Sequence, residues 1–186
     1  MSNRLSQIVT RTGDAGTTGL GDGSRVPKDC QRINVIGEVD ELNSTLGVLL
    51  AEDLPETIRQ PLLQVQNDLF DLGGEISIPG YATIGETHIL RLEQLVADFN
   101  AELPPLKEFI LPGGTRAAAL AHLVRSVCRR VERRVVSLGN NEPLSEYARK
   151  YLNRLSDLMF VLGRTLNRAS GRGDVLWVQH KPAAKP

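Results

Sequence analysis

The sequence predicts an all-α protein, a bundle of five antiparallel helices. Apolar residues recur at intervals of three and four in five separate windows. Glycine, proline and asparagine clusters interrupt the chain between windows. The one run with strand-like composition is Val175-Leu176-Trp177-Val178. The first window, Ile36, Val39, Leu42, Leu46 and Leu49, predicts a helix over roughly residues 33–52 with Asp40 and Glu41 on its polar face. Leu62, Val65, Leu69, Leu72 and Ile76 define the second, with Pro61 where a first helical turn tolerates it. Ser77 to Glu86 holds Pro79, Gly80 and Gly85 and reads as a loop. Thr87 is the expected cap of a third helix, which carries Ile89, Leu92, Val96, Phe99 and Leu103 and stops at Pro104-Pro105. Pro112-Gly113-Gly114-Thr115 starts the fourth, whose seam is Leu120, Val124, Val127, Val131 and Leu138 and whose stop is Gly139-Asn140-Asn141. The fifth has the cleanest repeat: Leu144, Ala148, Tyr151, Leu155, Leu158, Leu162 and Thr165, ending near Gly171. Lys181 to Pro186 has the composition of a loose tail. The expected organisation of the 186 residues is one domain without internal repeats: an N-terminal loop (about 8–30), the bundle (about 31–170) and a tail (171–186).

Composition narrows the function. Hydrophobic residues make up 41% of the chain, enough for a sizeable core. The 22 basic and 22 acidic residues balance, which argues against a general binder of nucleic acid or membrane surfaces. With no apolar run of spanning length and no hydrophobic stretch in the first nine residues, a cytoplasmic location is expected. Cys30 and Cys128 stand far apart without CxxC spacing, so neither a disulfide framework nor a cysteine zinc site is expected. The Asn43-Ser44-Thr45 triplet matches a glycosylation acceptor by pattern alone and is read as chance.

Any cationic function must therefore be local, and one segment supplies it. RSVCRRVERR, from Arg125 to Arg134, places five arginines in ten residues of an otherwise apolar helical pattern. Like charges one turn apart repel, so Arg125, Arg129 and Arg133 call for phosphates or carboxylates to neutralise them. Glu132 lies among them, placed to orient guanidinium groups toward a ligand. The plainer reading is a solvated or subunit-bridging face paired with acidic neighbours. The second cationic or polar feature is TRTGDAGTTGLGDG, Thr10 to Gly23, a loop of glycines and hydroxyls whose amides suit an anion. It lacks the order of a P-loop and no βαβ unit surrounds it, so its plainer reading is a flexible arm. Together, loop and arginine helix suggest a nucleoside triphosphate site. On the fifth helix Asn153 and Asp157 lie beside the apolar seam and should have partners if buried. Asp40 and Arg125 are candidates for a bridge between the first and fourth helices, with an ordinary exposed carboxylate as the alternative. His88, His122 and His180 are scattered without metal-ligand spacing, and no catalytic triad is present.

The strings TRTGDAGTTGLGDG, RVPKD, GEVDELN, FILPGG, RSVCRRVERR and NRLSDLMF follow one another in this order. A chain with these blocks closely resembles the PduO-type ATP:cob(I)alamin adenosyltransferases, from Thr10 to Arg168, with about Ala51 to Glu108 variable. The resemblance implies a five-helix bundle of ferritin-like topology, assembled as a homotrimer with its sites at subunit interfaces. It implies ATP contacts from Thr10, Arg11, Thr12, Gly13, Thr18 and Lys28 on the loop side. From the helices come Arg129, Arg130, Val131, Glu132, Arg133 and Asn153. Asp40 and Arg125 match a salt bridge across the interface, and Phe109 matches an aromatic against the lower face of the corrin. The implied reaction is attack of cob(I)alamin on C5′ of ATP, giving adenosylcobalamin and inorganic triphosphate, with Mg²⁺ accompanying the nucleotide. Cobalt is the nucleophile, so the implied protein roles are positioning and electrostatics, centred on Arg129, Arg125 and Asp40. No protein metal ligands are assigned. A flavin-type reductase and an adenosylcobalamin-dependent enzyme are the further partners implied.

Arg11 and Ala15 stand where many relatives carry lysine, and Val131 where alanine is common. Arg11 keeps the charge, whereas Ala15 removes one that would favour triphosphate. The competing class is a non-catalytic bundle that senses or stores ATP or cobalamin. A nucleic-acid-binding arginine helix is disfavoured by the neutral balance and 4% aromatic content. A ferritin-like metal bundle would need repeated Glu-x-x-His ligands that are missing.

Overall fold

The computed structural model describes residues 8–179. Among these residues lie five helices, α1 (Gln31–Leu50), α2 (Glu56–Ser77), α3 (Glu86–Ala101), α4 (Arg116–Gly139) and α5 (Glu146–Ala169). One hydrophobic core runs through them, with Leu42, Leu46, Leu62, Leu72, Val124, Val131, Leu155 and Leu158 sealed from solvent. The predicted seams are thus the buried faces, because a helix gains most of its stability by burying one apolar stripe. α1 packs on α2 and α4, while α5 packs on α4 and α3.

The N-terminal loop contains an element that the sequence reading lacks. β1 (Thr17–Gly19) and β2 (Arg25–Pro27) form an antiparallel hairpin with Thr18 opposite Val26. Its turn is set by Asp22, whose Oδ1 accepts both the N–H and the hydroxyl of Ser24. The hairpin is docked on the end of α2, where the N–H of Gly21 donates to the carbonyl of Ser77 at 2.9 Å.

Helix bounds differ from expectation at several points: Leu103 lies beyond the end of α3, Leu144 lies before the start of α5, and the starts of α2 and α3 are displaced. α2 begins at Glu56, so Pro61 lies inside the helix and deprives the Thr57 carbonyl of its usual partner. At the same corner Arg59 closes the end of α1, donating to the carbonyls of Leu50 and Glu52 at 2.7 and 2.8 Å. α3 is capped at Gly85, not Thr87; the Gly85 N–H donates to Nδ1 of His88 at 3.1 Å. The loop before it is clasped by buried Glu75, whose Oε2 accepts the N–H groups of Thr83 and Ile84.

Thr115, the last residue of the expected start signal, caps α4, its hydroxyl accepting the Ala118 N–H at 3.1 Å. Ahead of it, the side chain of buried Asn167 accepts the Thr115 N–H and donates to the Gly113 carbonyl. Gly114, between these contacts, has φ +107°, and a Cβ there would lie 2.1 Å from Asn167 Oδ1. Gly114→Ala therefore combines left-handed strain with overlap in a buried clip. We expect it to lower stability by about 2–3 kcal/mol, read as a depressed Tm.

A polar centre lies between α2, α3 and α5. Asp68 on α2, 1% exposed, accepts the Tyr151 hydroxyl at 2.7 Å and pairs with Arg91 of α3. Burial and the Asp68 charge push the Tyr151 pKa well up, so the phenol stays a donor. The strand-like run near the C-terminus is reduced to a bridge between Ile110 and Leu176. None of the described helices is long and apolar enough to cross a membrane.

Candidate functional site

The five arginines of the Arg125–Arg134 segment of α4 divide by direction. Arg130 and Arg134, one turn apart, face α1: Arg130 pairs with Glu41 and reaches Glu38 at 4.0 Å, and Arg134 pairs with Glu38 at 3.1 Å. These two take the plainer, bundle-bridging role. Arg125, Arg129 and Arg133 lie on another face and make no ion pair among the described residues. Arg129 and Arg133 are exposed, and Arg133 donates to the Arg129 carbonyl at 2.9 Å. The Nε of Arg125 is buried without a hydrogen-bond partner. Burial and then the neighbouring Arg129 charge lower its pKa, as expected for a cation lacking a counter-charge. The stripe is therefore an anion-ready surface with its repulsion unrelieved.

Two residues within this segment do something other than the sequence suggests. Val131 is fully buried in the core, so its side chain is turned away from the arginine stripe. Glu132 holds no guanidinium: its Oε1 accepts the Asn153 amide at 3.1 Å. The Asn153 carbonyl is in turn held by Arg154, which is anchored to Glu93 of α3 at 2.7 Å. With Oδ1 occupied and one N–H committed, Asn153 has one amide hydrogen left for a ligand. Asp157, its neighbour one turn on, is exposed.

The loop side is built by backbone. Arg25, which the sequence did not single out, donates Nη2 to the carbonyls of Thr12 and Thr17 at 2.7 and 3.1 Å and to the Thr17 hydroxyl at 2.8 Å. This staple gathers residues 12–17 into a tight turn. Thr10 and Thr12 share a hydroxyl contact of 3.0 Å, and Arg11 between them adopts a left-handed φ of 56°. The N–H groups of Thr12, Gly13 and Ala15 make no hydrogen bond among the described residues, leaving donors at the surface. Gly13 packs against the end of the Lys28 side chain: a Cβ there would lie 2.8 Å from the ammonium, an overlap that a shift of that flexible side chain would relieve. Thr18 is half-buried on β1. Backbone donors beside an ammonium suit an oxyanion. Among the described residues, no hydrogen bond or ion pair joins this loop to α4.

Asp40 and Arg125 do not meet within the chain either. Asp40 is exposed on α1, lining a groove of about 610 Å³ between α1 and α2 with Val39, Leu69, Phe70 and Tyr81, whereas Arg125 lies on α4. The Phe70 ring there is 77% exposed.

Phe109, 78% exposed, projects from the segment before α4. Its ring meets Trp177 edge-on, with centroids 6.1 Å apart, and it lines a hollow of about 340 Å³ with Leu106, Ile110 and Phe160. Behind Phe160 lies buried His122, stacked edge-on at 6.2 Å. Burial and then Arg125 lower the His122 pKa, so it stays neutral, a packing residue as expected. His88 sits in the first turn of α3 and accepts the N–H of the Gly85 cap; His180 lies outside the described residues. Cys128 is buried and its thiol pKa is pushed up by desolvation, which makes it inert. Among the described residues, no group of three or more His, Cys, Asp or Glu is placed to hold a metal ion.

Comparison with known proteins bears on this geometry. The family model for cobalamin adenosyltransferase matches residues 8–166. A cobalamin adenosyltransferase of Cupriavidus metallidurans is 62% identical over 97% of this chain and 99% of its own. A corrinoid adenosyltransferase of Bacillus subtilis is 44% identical over 91% of each. Among solved structures, a phenylalanine-to-alanine variant of the PduO-type ATP:corrinoid adenosyltransferase from Lactobacillus reuteri, complexed with cobalamin and ATP, superposes with a TM-score of 0.88. It shares 30% identity, and the match covers 93% of this chain and 100% of that one. An arginine-to-lysine variant of the same enzyme, complexed with ATP, gives a TM-score of 0.87 at 32% identity, covering 92% and 100%. With a family model spanning most of the chain and relatives this similar over nearly their whole length, the chain belongs to the cobalamin adenosyltransferase family.

Proposed function

We propose that this protein transfers the 5′-deoxyadenosyl group of ATP to the cobalt of cob(I)alamin, forming adenosylcobalamin and releasing inorganic triphosphate. The observation that carries the proposal is the outward stripe of Arg125, Arg129 and Arg133, left without carboxylate partners while Arg130 and Arg134 are satisfied by α1. In the reaction the Co(I) electron pair forms the Co–C5′ bond as the C5′–O bond breaks, and the negative charge departs on triphosphate. The protein then has two tasks: align C5′ with cobalt and stabilise the leaving group. Arg129 and Arg133 meet the polyphosphate, together with Lys28 and the open amides of Thr12 and Gly13. Thr10, Arg11 and Thr18 complete the loop side. Asn153, fixed by Glu132 and Arg154, donates its remaining amide hydrogen to the nucleoside. Val131 contributes backbone only, and Arg130 shapes the segment through α1.

Loop and stripe are brought together by a second copy of the chain, in a homotrimer whose interface carries the Asp40 carboxylate of one subunit to Arg125 of the next. That pairing would satisfy the orphaned Arg125 Nε. Mg²⁺ would be held chiefly by the triphosphate oxygens, since hard cations favour such ligands. Corrinoid sits against Phe109, whose apolar ring disfavours a polar lower ligand on cobalt. A single-domain chain, a cytoplasmic setting, a flavin-type reductase and an adenosylcobalamin-dependent acceptor enzyme complete the reading.

The test is an anaerobic assay with ATP, Mg²⁺ and chemically reduced cob(I)alamin, following the corrinoid spectrum and triphosphate. Stoichiometric adenosylcobalamin and triphosphate are expected. ATP binding without cobalt alkylation would replace the transferase by a sensor or storage role.

A further inference from the structure

The segment that bears Phe109 and the segment that bears Trp177 are both loops outside the helices, yet they are held together, and one side chain reaches both. Arg164 projects from the last turns of α5 and is only 4% exposed. Its Nε donates to Asp174 Oδ2 at 2.9 Å, and its Nη2 donates to the Pro104 carbonyl at 2.7 Å. Pro104 opens the stretch leading to Phe109; Asp174 opens the stretch leading to Trp177. Beyond these anchors the two stretches meet through backbone: the Leu111 N–H donates to the Val175 carbonyl at 2.7 Å, and the Trp177 N–H donates to the Phe109 carbonyl at 2.8 Å. The two rings then pack edge to face.

We infer that Arg164 is a positioning residue for the corrinoid site, a clamp that fixes the Phe109–Trp177 pair by tethering both of its loops to α5. This rests on the reading that Phe109 faces the corrinoid. Several features favour a positioning role over general support of the core. A guanidinium offers donors in fixed directions, and here two are used on segments that have no helix of their own. Asp174 is nearly buried with it, at 15% side-chain exposure, so the pair is charge-assisted and shielded from solvent. Phe109 itself is mostly exposed and has little packing to hold its direction other than Trp177 and the bridge. An aromatic that must lie flat against a rigid macrocycle needs that direction set in advance, because small misplacements cost much of the rate.

The chain has one tryptophan, so Trp177 emission reports the clamp directly. The first variant is Asp174→Asn, which weakens the pair from the tail side and leaves the helices intact; Arg164→Met is the second, replacing the buried cation by a side chain of similar length. Both should shift Trp177 emission to longer wavelength and raise the KM for cobalamin about tenfold, while the KM for ATP changes by less than about twofold. Unchanged emission and corrinoid KM in Asp174→Asn would overturn the clamp, and so would an equal rise in both KM values, which marks a general structural effect. Phe109→Ala run alongside separates the two ideas. Unaltered corrinoid kinetics in that variant would remove the assigned role of Phe109, whereas the emission shift tests the clamp without reference to it.

Discussion

Arg129→Ala should reduce kcat/KM by about a hundredfold or more, the usual loss when one donor to a developing negative charge is removed. The side chain is exposed, pairs with no carboxylate among the described residues and lies one turn from two other arginines. Removing it relieves repulsion, so helical content and Tm should be kept or slightly improved. This separates it from Arg130→Ala, which would strip Glu41 of α1 of its partner, leave Glu38 to Arg134 alone and act mainly on stability. Arg129→Lys should fall between wild type and alanine, because an ammonium keeps the charge but loses the planar fork. Steady-state kinetics with circular dichroism on the same preparations checks the pattern. Wild-type turnover in Arg129→Ala would remove the residue from the site.

Phe109→Ala is expected to leave ATP binding and folding unchanged and to impair the corrinoid half of the reaction, most of all the one-electron reduction of cob(II)alamin. Its ring is 78% exposed, so little burial is lost with it. On the proposed reading, what is lost is an apolar surface beside cobalt that disfavours a polar axial ligand, and ligand loss is what makes cob(II)alamin easier to reduce. The rate starting from cob(II)alamin should drop by about tenfold or more, and that starting from cob(I)alamin by less. Equal rates in both assays would refute the role.

The helical frame was legible because five seams of period three to four are also the five buried faces. The differences arise where backbone chemistry outweighs pattern. The hairpin at Thr17–Pro27 has too few apolar residues for alternation to register, and is held instead by Asp22, Ser24 and Arg25. The start of α2 was misplaced because Pro61 suits a first turn, although Ile58, one turn earlier and buried, belongs to the same seam. In the site, spacing alone marked the stripe of Arg125, Arg129 and Arg133 but not the pairing of Arg130 and Arg134 with α1. Helical angle separates them: Arg125, Arg129 and Arg133 form one row, and Arg130 with Arg134 another, matched by Glu38 and Glu41 three residues apart on α1. Arg164 and Asn167 had a signal that went unused, since both fall on the buried stripe of α5, where a polar side chain must find a partner. Trp177 carried no such mark, its role depending on a bridge between distant loops.

Among the described residues, the loop and the stripe of one chain share no bond, so activity should depend on assembly. On the proposed reading, each polypeptide carries two different halves of a nucleotide site, and neither half is completed by its own counterpart. Diluting the enzyme should therefore extinguish turnover while each chain still keeps its helices, giving a specific activity that climbs with concentration. Mixing also becomes productive: a preparation disabled at Lys28 and another disabled at Arg129, unfolded and refolded together, would regenerate intact junctions that neither parent has.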